Sequence, residues 1–309
     1  MNRVGFQGTD ETQPSRMMYL DSFDATQLTQ FTSHYTYSFK DAVETSDGEG
    51  MLVSLSSASI PYSFYNIRAG VNDKLYYEVN DEDPVITSVT IPEGNYNATT
   101  LGTEITKALS SASISMEIQY HRTRQKYKFK CTSHTLTLKF PENSLMFEIG
   151  FDSSDTLLTQ TEWKEAPNVA DLNGSVHAIY IRTNLATRSV MESQTGGVSD
   201  ILAKIDINSD PGGVITLEPQ QVSHEALIHT AGVKSVEIRI TDERNRLLNL
   251  NGLHSQIGLR FRFVNVKMAA PIVYPGESRQ RVAPQDVQKA LEKKQARRKT
   301  KPKVKKKQK

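Results

Sequence analysis

The chain's 309 residues amount to roughly two domains by length, and a 37% hydrophobic composition supplies enough apolar surface for a sizeable core. One cysteine cannot form an intrachain disulfide, which excludes a stapled secreted scaffold and points to a reducing compartment. The net charge of +2 conceals a split: residues 276–309 hold 14 Lys and Arg against 3 acids, a net +11, and the other 23 basic and 32 acidic side chains leave residues 1–275 at −9.

Residues 1–34 are polar and rich in Gln, Thr and Ser, and read as an arm that is loose in isolation. The opening stretch MNRVGFQGTDETQPSRMMYL has no apolar h-region, and Asn2 does not fit N-myristoylation. No run approaches the roughly 18 apolar residues of a membrane span, so neither a visible secretion signal nor membrane embedding is expected.

From Tyr35 onward, apolar and β-branched residues alternate over short runs punctuated by Gly, Pro, Asn and Asp, predicting strands at 35–39, 51–59 and 75–79. The rhythm then changes. After 85–91 the turn PEGN leads to Thr99 and Thr100 as N-caps. Leu101, Ile105 and Leu109 follow at i, i+4 and i+8, with Glu104 in the first turn, predicting a helix. A hairpin comes next: Ile114, Met116, Ile118 and Tyr120 face one way, TRQK turns, and Tyr127, Phe129 and Cys131 return opposite Lys126, Lys128 and Lys130. Leu136, Leu138 and Phe140 extend it. The stretch 83–165 is expected to be a small α+β domain inserted in a β-rich chain.

Strand patterns resume at 176–182, 201–207 and 214–217. The clearest are last: Val236, Ile238 and Ile240 alternate with Glu237, Arg239 and Thr241 before the turn DERN. Ile257, Leu259, Phe261 and Phe263 alternate with Gly258, Arg260 and Arg262. The chain is thus expected to be mainly β, a single eight-stranded jelly-roll sandwich assembled from 35–82 and 166–275. Residues 276–309 form a basic tail, with Pro284 able to open a short helix before a low-complexity end.

Several motifs imitate chemistry without its spacing. HEALIH places His224 and His229 five residues apart, whereas a zinc-protease helix needs histidines at i and i+4, so a loop pair is expected. DINSDPGG puts Pro211 and Leu217 where a calcium loop needs glycine and a bidentate Glu, and reads as a turn. Cys131 lies near His134 but on the face of Tyr127 and Phe129, as a small buried hydrophobe would. The sequons at Asn97 and Asn173 lack a signal peptide and read as chance. No catalytic residue, metal site or cofactor is expected, and the chain does not read as an enzyme. The legible chemistry is in the tail. Arg297, Arg298, Lys299, Lys301, Lys303, Lys305, Lys306 and Lys307 form a self-repelling run whose favourable partner is a polyanion; sequence-blind nucleic-acid binding is the leading expectation, with a solvated solubility tail, a nuclear-import signal and an anionic-lipid contact as alternatives.

Six stretches taken in order carry a family resemblance: SSASIPYSFYNI at 56–67, IPEGNYNATTLGTEI at 91–105, MFEIGFD at 146–152, IYIRTNLATR at 179–188, ILAKIDIN with PGGVI at 201–215, and VEIRITDERNRLLNLNGL at 236–253. Together the chain resembles the penton, or vertex minor capsid, proteins of virophages, polinton-like elements and related large DNA viruses. The resemblance implies a jelly roll with upright strands and an outward inserted domain, five copies closing a fivefold vertex in the virion. It also implies contacts with the major capsid protein and with a host or viral surface receptor at the inserted domain; contact of the tail with packaged DNA rests on its charge, since the family pattern assigns the tail no role. No RGD is present. The competing reading is a fibre- or baseplate-type receptor- or glycan-binding module, sharing the inserted unit.

Overall fold

The computed structural model describes residues 15–29, 31–46, 49–80, 84–186, 190–217 and 224–265. In chain order the elements begin with β1 (Ser15–Asp21), β2 (Gln27–Leu28), β3 (His34–Glu44) and β4 (Glu49–Pro61). Next come β5 (Lys74–Val79), β6 (Ile86–Thr90), α1 (Ala98–Ser111), β7 (Met116–His121), β8 (Lys126–Cys131), β9 (Leu136–Lys139), β10 (Thr156–Leu158) and β11 (Lys164–Glu165). The chain then continues through β12 (Ala178–Thr183), β13 (Val190–Glu192), β14 (Gly197–Ser199), β15 (Ile201–Asp206), β16 (Val214–Leu217), β17 (Ala226–Ile228), β18 (Gly232–Thr241) and β19 (Gln256–Asn265).

The fold is mainly β, and its strand pairs are antiparallel. One five-stranded sheet runs β1-β19-β4-β16 with β17 also on β4; a second runs β15-β12-β18-β3-β2. The two sheets enclose one core, as a sandwich does. The two clearest sequence patterns lie in different sheets of it. Val236, Ile238 and Ile240 of β18 and Leu259 and Phe261 of β19 are all fully buried, with Glu237 and Arg239 turned outward. A gap-free greasy face on each sheet is what lets the layers close: full burial of one such side chain contributes about 1.5–3 kcal/mol.

Ten sandwich strands are present among the described residues, where the sequence predicted eight. Two of the additions come from the supposed arm. Ser15–Asp21 pairs residue for residue with β19, from Ser15 opposite Arg262 to Asp21 opposite Gln256, and Gln27–Leu28 pairs with β3. Along β1 only Leu20 is buried, so its place depends on ladder hydrogen bonds that leave little hydrophobic signal. The strand at 75–79 is real but belongs elsewhere: β5 pairs with β6 and β9, not with the sandwich. Alternation marks a strand without naming its neighbour.

A second core gathers side chains from Ile67 to Ala166, with Ala170 and Leu172 against it. It is wider at both ends than the predicted 83–165. The sandwich core takes no residue between Phe64 and Val176. A four-stranded sheet, β10-β9-β5-β6, and a three-stranded one, β11-β8-β7, share this second core with α1. The helix begins two to three residues earlier than expected, because the N-cap is Asn97 and not Thr99 or Thr100. Its Oδ1 accepts from the Thr99 and Thr100 amides at 3.0 and 2.9 Å, while the Asn97 amide donates to Thr100 Oγ1 at 2.9 Å. This reciprocal box contributes about 1 kcal/mol. Glu104 therefore falls in the second turn, paired with Lys107 at 3.0 Å.

Candidate functional site

The eight tail cations, Arg297, Arg298, Lys299, Lys301, Lys303, Lys305, Lys306 and Lys307, lie outside the described residues. The other sequence motifs find structural roles. His224 and His229 flank the short strand β17, whose Ala226 and Ile228 point inward, and Glu225 pairs with Arg262. The Asp206 motif turns the chain from β15 to β16, with Asn208 Nδ2 donating to Thr216 O at 2.9 Å. Cys131 is fully buried with its thiol on Ser115 O at 3.5 Å, while the exposed His134 bonds Ser133. Asn97 is the helix cap. Among the described residues, no three His, Cys, Asp or Glu side chains gather as a metal site, and no helix is long and apolar enough to cross a membrane.

Two of the six stretches behind the resemblance meet in a buried ionic cluster. Arg182 of β12 is 2% exposed. Its guanidinium donates to Thr241 Oγ1 at 3.1 Å, Ser199 Oγ at 2.9 Å and Asp200 Oδ1 at 3.0 Å, and pairs closely with Glu192. Asp200 is also held by Arg239. Burial alone would lower the Arg182 pKa, but the hydrogen bonds and charges of Glu192 and Asp200 outweigh it and raise it. The bond from Arg182 holds Glu192 below the usual carboxylate range. In Asp200 burial pushes upward and loses to Arg182 and Arg239. The cluster fastens the β13–β14 hairpin to the sandwich.

A second polar cluster sits where the two cores join. Asp242, in the DERN turn after β18, is fully buried. It accepts from Arg68 Nη1 at 3.1 Å, from Arg246 Nε at 2.7 Å, and from the amides of Arg244 and Arg246. Arg68 reaches on to Gly174 O at 3.2 Å, and Asn66 Nδ2 donates to Leu172 O at 2.9 Å. The outgoing and returning stems are thereby laced to each other and to the sandwich. Gly174 has φ +65, and a Cβ there would land inside the Asn66 backbone, so only glycine lets the stems approach this closely.

Glu148, 1% exposed, completes the junction. Its Oε1 accepts from Asn72 Nδ2 at 2.6 Å and Ser175 Oγ at 3.3 Å. Burial pushes its carboxyl up to about 7; the Asn72 and backbone hydrogen bonds oppose the rise and the Asp171 charge adds to it. Folding then takes up a proton between the unfolded value of 4.5 and about 7. Stability from this group therefore falls as pH rises through that window, by about 3 kcal/mol in all. Glu148→Gln is expected to erase the fall: its urea midpoint should exceed the wild-type one at pH 8 and match it near pH 5. Parallel pH profiles for the two proteins would refute this assignment.

Within the second unit, α1 and β7 leave a groove of about 450 Å³. Thr99, Thr103 and Thr106 form one wall, Tyr120 and Arg122 the other, and Gly102 lies with Ile118 and Tyr127 along it. The Tyr120 and Tyr127 rings stand 5.0 Å apart at a 58° tilt, and Tyr127 donates its hydroxyl proton to Ala98 O at 2.6 Å. Thr103 and Thr106 donate theirs to Thr99 O and Gly102 O, which leaves their oxygens as acceptors. Glycine inside a helix costs about 1 kcal/mol relative to alanine. Here Gly102 lies against the hairpin, where a Cβ would meet Ile118 Cγ2 at 3.4 Å and Tyr127 Cε1 at 3.6 Å, so its absence lets helix and strands approach closely. Sequence reading missed this groove, since helix and hairpin were recognised separately and their shared hollow depends on how they pack.

No protein-family model matches the chain, and no curated protein matches it. Among solved structures it is similar to a mavirus penton protein at 12% identity and a TM-score of 0.46, covering 81% of this chain and 100% of that one. It is also similar to a two-domain piece of the flagellar cap protein FliD from Escherichia coli, at 12% identity and a TM-score of 0.20, covering 75% of this chain and 100% of that one.

Proposed function

We propose that the chain is a vertex, or penton, protein of an icosahedral DNA-virus capsid: a structural protein of the virion, not an enzyme, that closes on itself as a homopentamer and contacts the major capsid protein. The observation that carries this reading is the clean partition of the cores, a sandwich interrupted once between Phe64 and Val176 by a unit with a core of its own. The six stretches resembling vertex proteins fall on it consistently. Those at 56–67, 179–188, 201–215 and 236–253 supply sandwich strands and their junction, and those at 91–105 and 146–152 lie in the inserted unit. We read the two sheets as a jelly roll with the second unit projecting outward. A rigid block with heterologous faces is what ring closure by repeated rotation requires.

Native mass spectrometry near neutral pH is expected to give a particle of five times 34.6 kDa. A stable monomer would overturn the reading, and a trimer would favour a fibre- or baseplate-type module. In the same reading the basic tail lies against packaged DNA and binds by releasing condensed counterions. Deleting 297–309 is expected to abolish salt-sensitive retention of DNA; retention that is unchanged and indifferent to salt would remove the tail from this role.

A further inference from the structure

We infer that the groove between α1 and β7 is a binding site for the terminal carboxylated sugar of a glycan. Its dimensions come first. About 450 Å³ lies within the ordinary range for small-ligand sites, and suits one or two pyranose rings. The chemistry of the walls selects among occupants of that size. Tyr120 supplies a half-buried ring against which the apolar face of a sugar can lie. The opposite wall offers hydroxyl oxygens at Thr103 and Thr106 whose own protons are already committed to the helix backbone. They can therefore accept from sugar hydroxyls, which are donors. Arg122 adds a planar fork of donors that matches a carboxylate, and Lys107 is half neutralised by Glu104. One largely uncompensated guanidinium fits a monoanion better than a phosphate dianion.

Gly102 fixes how closely the walls approach at the base of the groove, since a Cβ there would already touch Ile118 Cγ2 at 3.4 Å and Tyr127 Cε1 at 3.6 Å. The site rests on the second unit alone and stands whether or not the protein forms a vertex.

The test uses the full-length protein, with sialyllactose, a glucuronate-terminated disaccharide and neutral lactose as probes in calorimetric titration. At least one acidic sugar is expected to bind, with lactose at least about tenfold weaker, as the loss of one charge-assisted contact implies. Arg122→Gln should bring the acidic sugar to the level of lactose. Thr103→Val, which keeps the shape of the wall and removes its acceptor, should weaken the acidic sugar and lactose alike by about threefold to tenfold while the melting temperature holds. Failure of the wild-type protein to bind either acidic sugar, equal affinity for lactose, or unchanged affinity in both variants would each overturn the inference.

Discussion

Arg182→Met is expected to remove about 3–5 kcal/mol of stability, the cost of leaving the carboxylates of Glu192 and Asp200 without their shared guanidinium. Against a typical total of about 5–15 kcal/mol, that is enough to bring the unfolding midpoint near ambient conditions in urea. The loss comes from the orphaned charges more than from the missing arginine. A variant that also carries Glu192→Gln and Asp200→Asn should therefore recover much of it, since replacing a whole buried ion cluster is often close to neutral. Equilibrium urea denaturation of the single and triple variants decides the matter. Equal midpoints for wild type and Arg182→Met would show that the cluster adds nothing, and a triple variant weaker than the single one would show that the bonds the two carboxylates keep to Arg239 and Ser199 outweigh the cost of their unpaired charge.

Asp242→Ala is expected to cost as much, about 3–5 kcal/mol, and to act in a different place. Asp242 is the single acceptor that Arg68, Arg246 and two backbone amides share at the junction of the cores. Its loss strands Arg68, which is 8% exposed, and frees the stems. Limited proteolysis should then cut between residues 62 and 67 or near 172 before the sandwich unfolds, whereas the wild-type stems resist. Asp242→Asn keeps an acceptor for the amides and should lie between the two. A variant that unfolds globally with no early stem cleavage would mean that the junction is held by packing, not by this carboxylate.

Much of the architecture was legible because it is periodic. The alternating runs at 236–240 and 257–263, and the i, i+4, i+8 pattern of Leu101, Ile105 and Leu109, each report a single buried face, and each face is buried as read. What periodicity could not convey was partnership. The strand at Lys74–Val79 looks like its neighbours in sequence but hydrogen-bonds in another sheet, and Ser15–Asp21 pairs along β19 while burying little. Arg182 and Asp242 were visible only as members of ordered motifs. The partners of Arg182 lie 10 to 59 residues away and Arg68 lies 174 from Asp242, separations at which sequence offers no geometric cue. The tail remains legible as charge alone.

The single doorway through which the second unit departs and returns has one more consequence. Because Asn66, Arg68, Leu172 and Gly174 hold the two stems together, the host sandwich meets its guest as a chain whose ends already touch. Lineages can therefore lengthen, trim or exchange the guest as a cassette, leaving the strand order of the host untouched. Such changes stay confined to one unit, because no described side chain between Phe64 and Val176 takes part in the sandwich core.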